Sequence, residues 1–225
     1  QYTRSDSYFS NSELAARGLP GADELALLNP LKDKLDSAVF GPAIDAPKSP
    51  DALSLRANLR QAQKLLADAG WRMGDDGWLV NAAGQRLEFE FLTYTRTFER
   101  VAAPYQRNLE KLGVKLNVRM VDPALFQKRL EQFDFDMTVA GFPQSASPGN
   151  EQLDYFGSAA ARQPGSNNLI GLQDPAVDAL LQHVVTFRHR AELVAASRAL
   201  DRVLLAGYYL MPNWHLAYHR IDYRD

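Results

Sequence analysis

Three short runs of alternating residues constrain this chain more than any other feature. Leu87, Phe89 and Phe91 alternate with Glu88 and Glu90; Val114, Leu116, Val118 and Met120 alternate with Lys115, Asn117 and Arg119. Phe135, Met137 and Val139 alternate with Asp136 and Thr138. A period of two places the apolar members on one face of a strand. Segments of helical period separate the runs, so the order is strand, helix, strand, helix, strand. That order predicts an α/β fold with a parallel sheet and right-handed crossovers. Parallel sheets bind ligands beyond the carboxyl ends of their strands. Those ends are Tyr94-Thr-Arg-Thr97, Val121-Asp122 and Gly141-Phe-Pro-Gln-Ser145.

Helix punctuation supports the same reading. Leu59, Ala62, Leu65, Leu66 and Ala69 form an apolar stripe that Gly70 should end in a left-handed cap. Phe98, Val101, Ala102, Tyr105, Leu109 and Leu112 form another, stopped by Gly113. Asp122-Pro123 and Asp174-Pro175 each combine an N-cap with proline at the first helical position. The first opens a short helix with Phe126 and Leu130; the second opens Val177, Leu180, Leu181, Val184 and Val185. A last helix carries Leu193, Ala196, Leu200, Val203 and Leu204, and residues 208–218 read as extended. Near the start, two short helices are predicted within 10–40, the first capped by Ser12 and the second striped by Leu25, Leu28, Leu31 and Leu35. Residues 41–50, with Pro42, Pro47 and Pro50, read as a linker, and 71–84 as turns or a small hairpin. Residues 142–174, rich in Gly, Pro, Ser and Asn, read as a long functional or mobile loop.

Several function classes lose support at this level. A formal charge of −2 with no basic run gives no footprint for nucleic acid or an anionic membrane. No apolar stretch is long enough to span a bilayer. The absence of cysteine excludes disulfides and thiol chemistry. No glycine-rich phosphate loop and no G-x-S-x-G elbow occurs, so no cofactor is expected. His215 and His219 are four apart, but on a strand they would stand roughly 13 Å from each other, too far for one ion. No metal site is expected. Asp134 with Asp136 read as caps or solvated charges, and Glu88 with Glu90 as solvent-facing or edge charges, rather than acid–base pairs. The chain begins without an initiator Met or a signal-peptide pattern and stops in a strand-like run, which reads as a piece of a longer protein.

Asn58-Leu-Arg-Gln-Ala-Gln-Lys-Leu-Leu-Ala-Asp-Ala-Gly-Trp71 resembles the AxKLLxxAG(Y/W) helix of the family 5 solute-binding proteins of ABC importers, the dipeptide, oligopeptide and nickel binders. The helix ending in Leu-Gly-Val114, the strand from Phe135 to Phe142 and the run Asn168-Leu-Ile-Gly-Leu-Gln-Asp-Pro-Ala-Val-Asp178 continue the likeness in the family's order. Tyr8 to Ala16, Gly18-Leu-Pro20 and Gly141-Phe-Pro-Gln144 are most similar to the Yej-type branch, associated with oligopeptides and microcin C. The resemblance implies a type II periplasmic-binding-protein lobe, the second of two, with 1–45 on the hinge side, 46–206 as the lobe and 207–225 returning toward the first. It implies no catalysis. A periplasmic, monomeric protein would capture an oligopeptide or peptide-like solute between lobes and deliver it to an inner-membrane ABC permease. The implied contacts are Tyr94, Arg96, Phe142, Gln144, Ser145, Asn150 and Asn168, with Tyr8, Phe9 and Trp214 at the hinge. In peptide-binding relatives an aspartate follows the aromatic position and holds the peptide's amino terminus. Here that position falls near Ser145 or Ser147, leaving Glu151 or Asp154 as substitutes. Each contact also has a plain alternative: Phe142 as core, Arg96 as a solvated helix start, Asn167 and Asn168 as turn residues. The competing class is a stand-alone α/β hydrolase or transferase with 142–174 as its lid.

Overall fold

The computed structural model describes residues 2–10 and 12–216. It divides the chain into two units, Gln1–Ala46 with Phe142–Asp225, and Pro47–Gly141. The expected lobe over 46–206 is therefore divided by its own packing, because residues 142–206 join the first 46.

The Pro47–Gly141 unit holds the parallel sheet. Helix α2 (Ala52–Asp68) starts at Asp51, whose carboxylate accepts from Ser54 N while Asp51 N donates to Ser54 Oγ, a capping box. Gly70 ends it at φ +88°, the left-handed cap expected. Leu59, Ala62 and Leu66 pack on Leu79, Leu112 and Val114. Leu65, expected in this stripe, stays 58% exposed. The hairpin is present as β2 (Arg72–Met73) against β3 (Leu79–Val80). Strands β4 (Glu88–Thr93), β5 (Lys115–Met120) and β6 (Met137–Thr138) then form the sheet β5-β4-β6, parallel throughout. Their connections are α3 (Arg96–Glu110) and α4 (Pro123–Glu131).

Two departures from the alternation have physical causes. Because β4 is central, Phe91, Leu92 and Thr93 are all buried, Phe89 and Glu90 are half-buried, and only Glu88 is exposed. Phe91 packs with Ala102 and Leu116 under α3. The third strand keeps two residues rather than the run from Phe135 to Val139. Just before it, the Asp136 carboxylate takes Glu90 N at 2.8 Å, replacing a ladder bond, and Phe133 turns at φ +54°. Met120 ends β5 at 43% exposure, so the expected core stripe stops at Val118.

The other unit contains α1 (Ala22–Leu28), two 3₁₀ turns (Asn29–Lys34, Ser37–Phe40), α5 (Glu151–Phe156), a 3₁₀ turn at Ala160–Arg162, α6 (Pro175–Thr186) and α7 (Arg190–Ala206). Strands β1 (Thr3–Arg4) and β7 (Trp214–His215) pair antiparallel. The helix expected from Ser12 is replaced by turns, in which Ser12 Oγ donates to Phe9 O and accepts from Leu14 N. Residues 142–174 are no open loop. Besides α5 they bury Gln152, Phe156 and Asn168 completely. Of the extended run 208–218, only Trp214–His215 is strand among the described residues, and His219 lies outside them.

Helix α7 carries the polar centre of this unit. The buried Asp201 carboxylate accepts from Ser7 Oγ (2.7 Å), Tyr8 N (2.9 Å) and Ala16 N (2.9 Å). Its neighbour Arg202, also buried, pairs with Glu24 at 2.5 Å and donates to the carbonyls of Arg17, Gly18 and Gly41. Burial pushes the Asp201 carboxyl up from its ordinary 3.8 to about 6, against the hydrogen bonds that favour its charge. The folded chain therefore takes up this proton before the unfolded chain does. The group's contribution to stability is full below about 3.8 and lost as pH rises through about 6. In urea titrations, the stability difference between wild type and Asp201→Ala should widen by about 2–3 kcal/mol from pH 7 to pH 4. A difference that stays flat would refute this assignment.

Candidate functional site

In the sheet-bearing unit, two expected contacts sit just beyond the carboxyl end of the central strand. Tyr94 is 51% exposed, and its ring lies 4.7 Å from that of Phe126 on α4 at 50°. An apolar base thus fixes the aromatic ring while one face stays open. Arg96 is the exposed first residue of α3, whose N-cap Thr95 accepts from Thr97 N at 3.3 Å. The arrangement offers a flat apolar surface followed by a solvated guanidinium.

At the amino end of β6 in the same unit, the acidic residues are tied to one cation. Arg129 pairs with Glu90 (2.9 Å) and with Asp134 (2.9 Å), and Asp136 is held by Glu90 N. Glu88 accepts from Lys115 (2.8 Å) and Asn117 (2.6 Å), which holds its carboxyl below the usual range. Glu90, expected to face solvent, is half-buried and ion-paired instead. These carboxylates organise the strands around them. Among the described residues no group of three or more His, Asp or Glu side chains is placed to hold a metal ion.

In the other unit, Phe142 belongs to an aromatic cluster. Its ring stacks on Phe156 (5.4 Å, 27°) and meets Tyr155 (5.6 Å) and Tyr8 (6.2 Å). It is half-buried against the core. The Tyr8 hydroxyl is buried, and burial, the Asp201 carboxylate and Tyr209 together raise its pKa. Gln144 is half-buried and paired with the fully buried Gln152. Ser145 is exposed, its Oγ accepting from Ser147 N at 3.1 Å. Asn150 is exposed before α5 and makes no side-chain cap. Arg190, at the start of α7, donates to Glu13 through Nε (2.8 Å) and Nη2 (2.6 Å) and to Ala146 O through Nη1. Trp214 is exposed, edge-on to Tyr2 at 6.3 Å.

Two of the expected positions are buried inside this unit. Asn168 is 0% exposed; its Nδ2 donates to Gly157 O (2.9 Å) and Leu172 O (3.0 Å), and its Oδ1 accepts from Leu172 N (2.9 Å). Both amide hydrogens are committed inside the fold, so this side chain closes a turn rather than meeting a solute. Phe9, expected at the hinge, is 1% exposed within the main core of this unit. Three organising residues escaped the sequence reading: Asp201, Arg202 and Gln152. The first two carried a signal, because a charged pair interrupts the apolar spacing of Leu200, Val203 and Leu204. Asn168→Ala should cost about 1–3 kcal/mol in urea denaturation through the backbone groups it orphans. A change within experimental error would contradict the buried role.

The comparisons with known proteins agree with this architecture. The family model of bacterial extracellular solute-binding proteins, family 5 Middle, matches residues 26–163. The chain is 45% identical over 215 residues to the "Probable peptide-binding protein YejA" of Agrobacterium fabrum, covering 96% of this chain and 35% of that protein. It is 33% identical over 216 residues to the peptidoglycan-binding protein YepA of the same organism, covering 96% of this chain and 35% of the other. The chain thus spans about a third of the length of these curated relatives. The solved oligopeptide-binding protein AppA of Bacillus subtilis, in complex with a nonapeptide, superposes with a TM-score of 0.63 at 18% identity. That match covers 96% of this chain and 46% of AppA and shows the type II binding-protein fold. These relatives are binding proteins, not enzymes, and the lid-bearing hydrolase or transferase has no counterpart among them. The chain belongs to the family 5 bacterial extracellular solute-binding proteins.

Proposed function

We propose that this chain is the solute-contacting part of a periplasmic binding protein that captures oligopeptides or peptide-like solutes and hands them to an inner-membrane ABC permease. The single observation that carries this reading is the family match over residues 26–163, which spans the sheet and the segment through Phe142 to Gln163. The names of the relatives, peptide-binding and peptidoglycan-binding, point to the same solute class. The full-length protein is read as a monomer. Among the described residues no helix is long and apolar enough to cross a membrane.

The proposed contacts are Tyr94 and Arg96 in one unit and Phe142, Gln144, Ser145 and Asn150 in the other. Tyr94 contributes an open aromatic face, and Phe142 an edge of the cluster built on Phe156. An extended peptide also presents main-chain groups that any such protein can pair regardless of side chain. Tyr8 and Trp214 are proposed to lie where the chain passes to the rest of the full-length protein.

Mass spectrometry of small molecules released from the purified full-length protein should find peptides or peptide-like solutes. Their absence, with another class retained instead, would overturn the reading. For a peptide so identified, Tyr94→Ala should weaken binding about tenfold, or about 1.4 kcal/mol, by calorimetry. Unchanged affinity would remove Tyr94 from the contacts.

A further inference from the structure

Helix α2 presents an outer face of one charge. Its inner face, with Leu59, Ala62 and Leu66, packs on Leu79, Leu112 and Val114. On the other side Arg56, Arg60 and Lys64 are exposed and follow one another at intervals of four. Each such step turns only about 40° around the axis and rises about 6 Å, so the three cations form a stripe about 12 Å long. Leu53, three residues before Arg56 and seven before Arg60, shares that face and is 74% exposed. No acidic residue occurs between Asp51 and Asp68. Asp51 is engaged in the cap, and Asp68 follows Lys64 by four without forming an ion pair with it. Among the described residues the side chains of Arg56, Arg60 and Lys64 make no ion pair and no hydrogen bond.

The fold gains nothing from this arrangement, because like charges four apart on a helix repel and weaken it. A face that serves solubility alone mixes both signs. Helix α3 does so, with exposed Arg96, Arg100 and Arg107 among exposed Glu99 and Glu110. The α2 stripe is instead complementary to an anionic partner. Three unanchored cations on successive turns, with one leucine beside them, set no recess or fixed angle that would select a folded protein. They match a layer of mobile anionic headgroups, which Lys and Arg reach on flexible stems while an apolar side chain enters the boundary. The formal charge of −2 and the lack of a basic run concealed this face, because its cations recur every four residues.

We propose that the outer face of α2 is a weak, salt-sensitive contact for an anionic phospholipid surface, made by Arg56, Arg60 and Lys64 with Leu53 beside them. This goes beyond solute capture, since α2 carries none of the proposed solute contacts. Its effect would be to hold the binding protein near a bilayer. The full-length protein, with no peptide added, is co-sedimented with vesicles of phosphatidylcholine alone and of phosphatidylcholine with phosphatidylglycerol in equal parts. The wild type should sediment with the anionic vesicles and not the neutral ones, and raised salt should release it. Arg56→Gln, Arg60→Gln and Lys64→Gln together should lower binding at least about tenfold. Lys32→Gln, Lys34→Gln and Arg162→Gln remove the same charge from exposed positions of the other unit. That second triple variant should bind within about twofold of the wild type. No binding to anionic vesicles, equal binding to neutral ones, or an equal loss in both triple variants would overturn the proposal. Each of these outcomes leaves the reading of solute capture standing.

Discussion

Two adjacent charged residues on one helix determine how the α6–α7 unit is assembled. Asp201 collects two backbone amides and a hydroxyl from residues 7–16, and Arg202 collects Glu24 and three carbonyls from residues 17–41. Charges this deeply buried are tolerated only when their partners are complete, and removing one side leaves the other stranded. The irregular chain before α1 has few strand or helix bonds of its own. Its order comes from α7, more than 150 residues away in sequence. That polar clasp sits beside the apolar cluster of Phe9, Leu14, Leu28, Leu180, Leu200 and Leu204, so burial supplies stability while the clasp fixes registry.

The other unit works by different means. Its central strand buries Phe91, Leu92 and Thr93 toward its carboxyl end, while ion pairs of Glu88 and Glu90 hold its amino end. Tyr94 leaves the end of that strand with Phe126 beneath it, so an exposed aromatic side chain is held by packing rather than by hydrogen bonds. Phe142 is held in a similar way on Phe156 and Tyr155. Rigid aromatic surfaces lose little conformational freedom on meeting a solute.

Periodicity made the sheet legible. The order of strands and helices, the caps at Asp122 and Asp174 and the left-handed stops at Gly70 and Gly113 follow from local rules, and all are present. What escaped was non-local. The third strand lost length because a side chain, Asp136, displaced a ladder bond. The Gly, Pro, Ser and Asn content of 142–174 suits a long functional or mobile loop, yet Gln152, Phe156 and Asn168 are buried by partners the sequence alone cannot pair. Asn168 shows the limit for sites: an asparagine beside Gly and Pro is equally suited to a turn or a ligand, and only its three backbone partners decide.

Family membership fixes the class of protein, and the exposed groups at 94–96 and 142–150 supply the proposed means of holding a solute. Hydrogen exchange on the full-length protein, with and without a bound peptide it retains, tests this most directly. The account expects slowed exchange at residues 94–97 and 142–150, with little change at the amides of Tyr8 and Ala16, which Asp201 already holds. Protection gained elsewhere, with both segments unchanged, would contradict it.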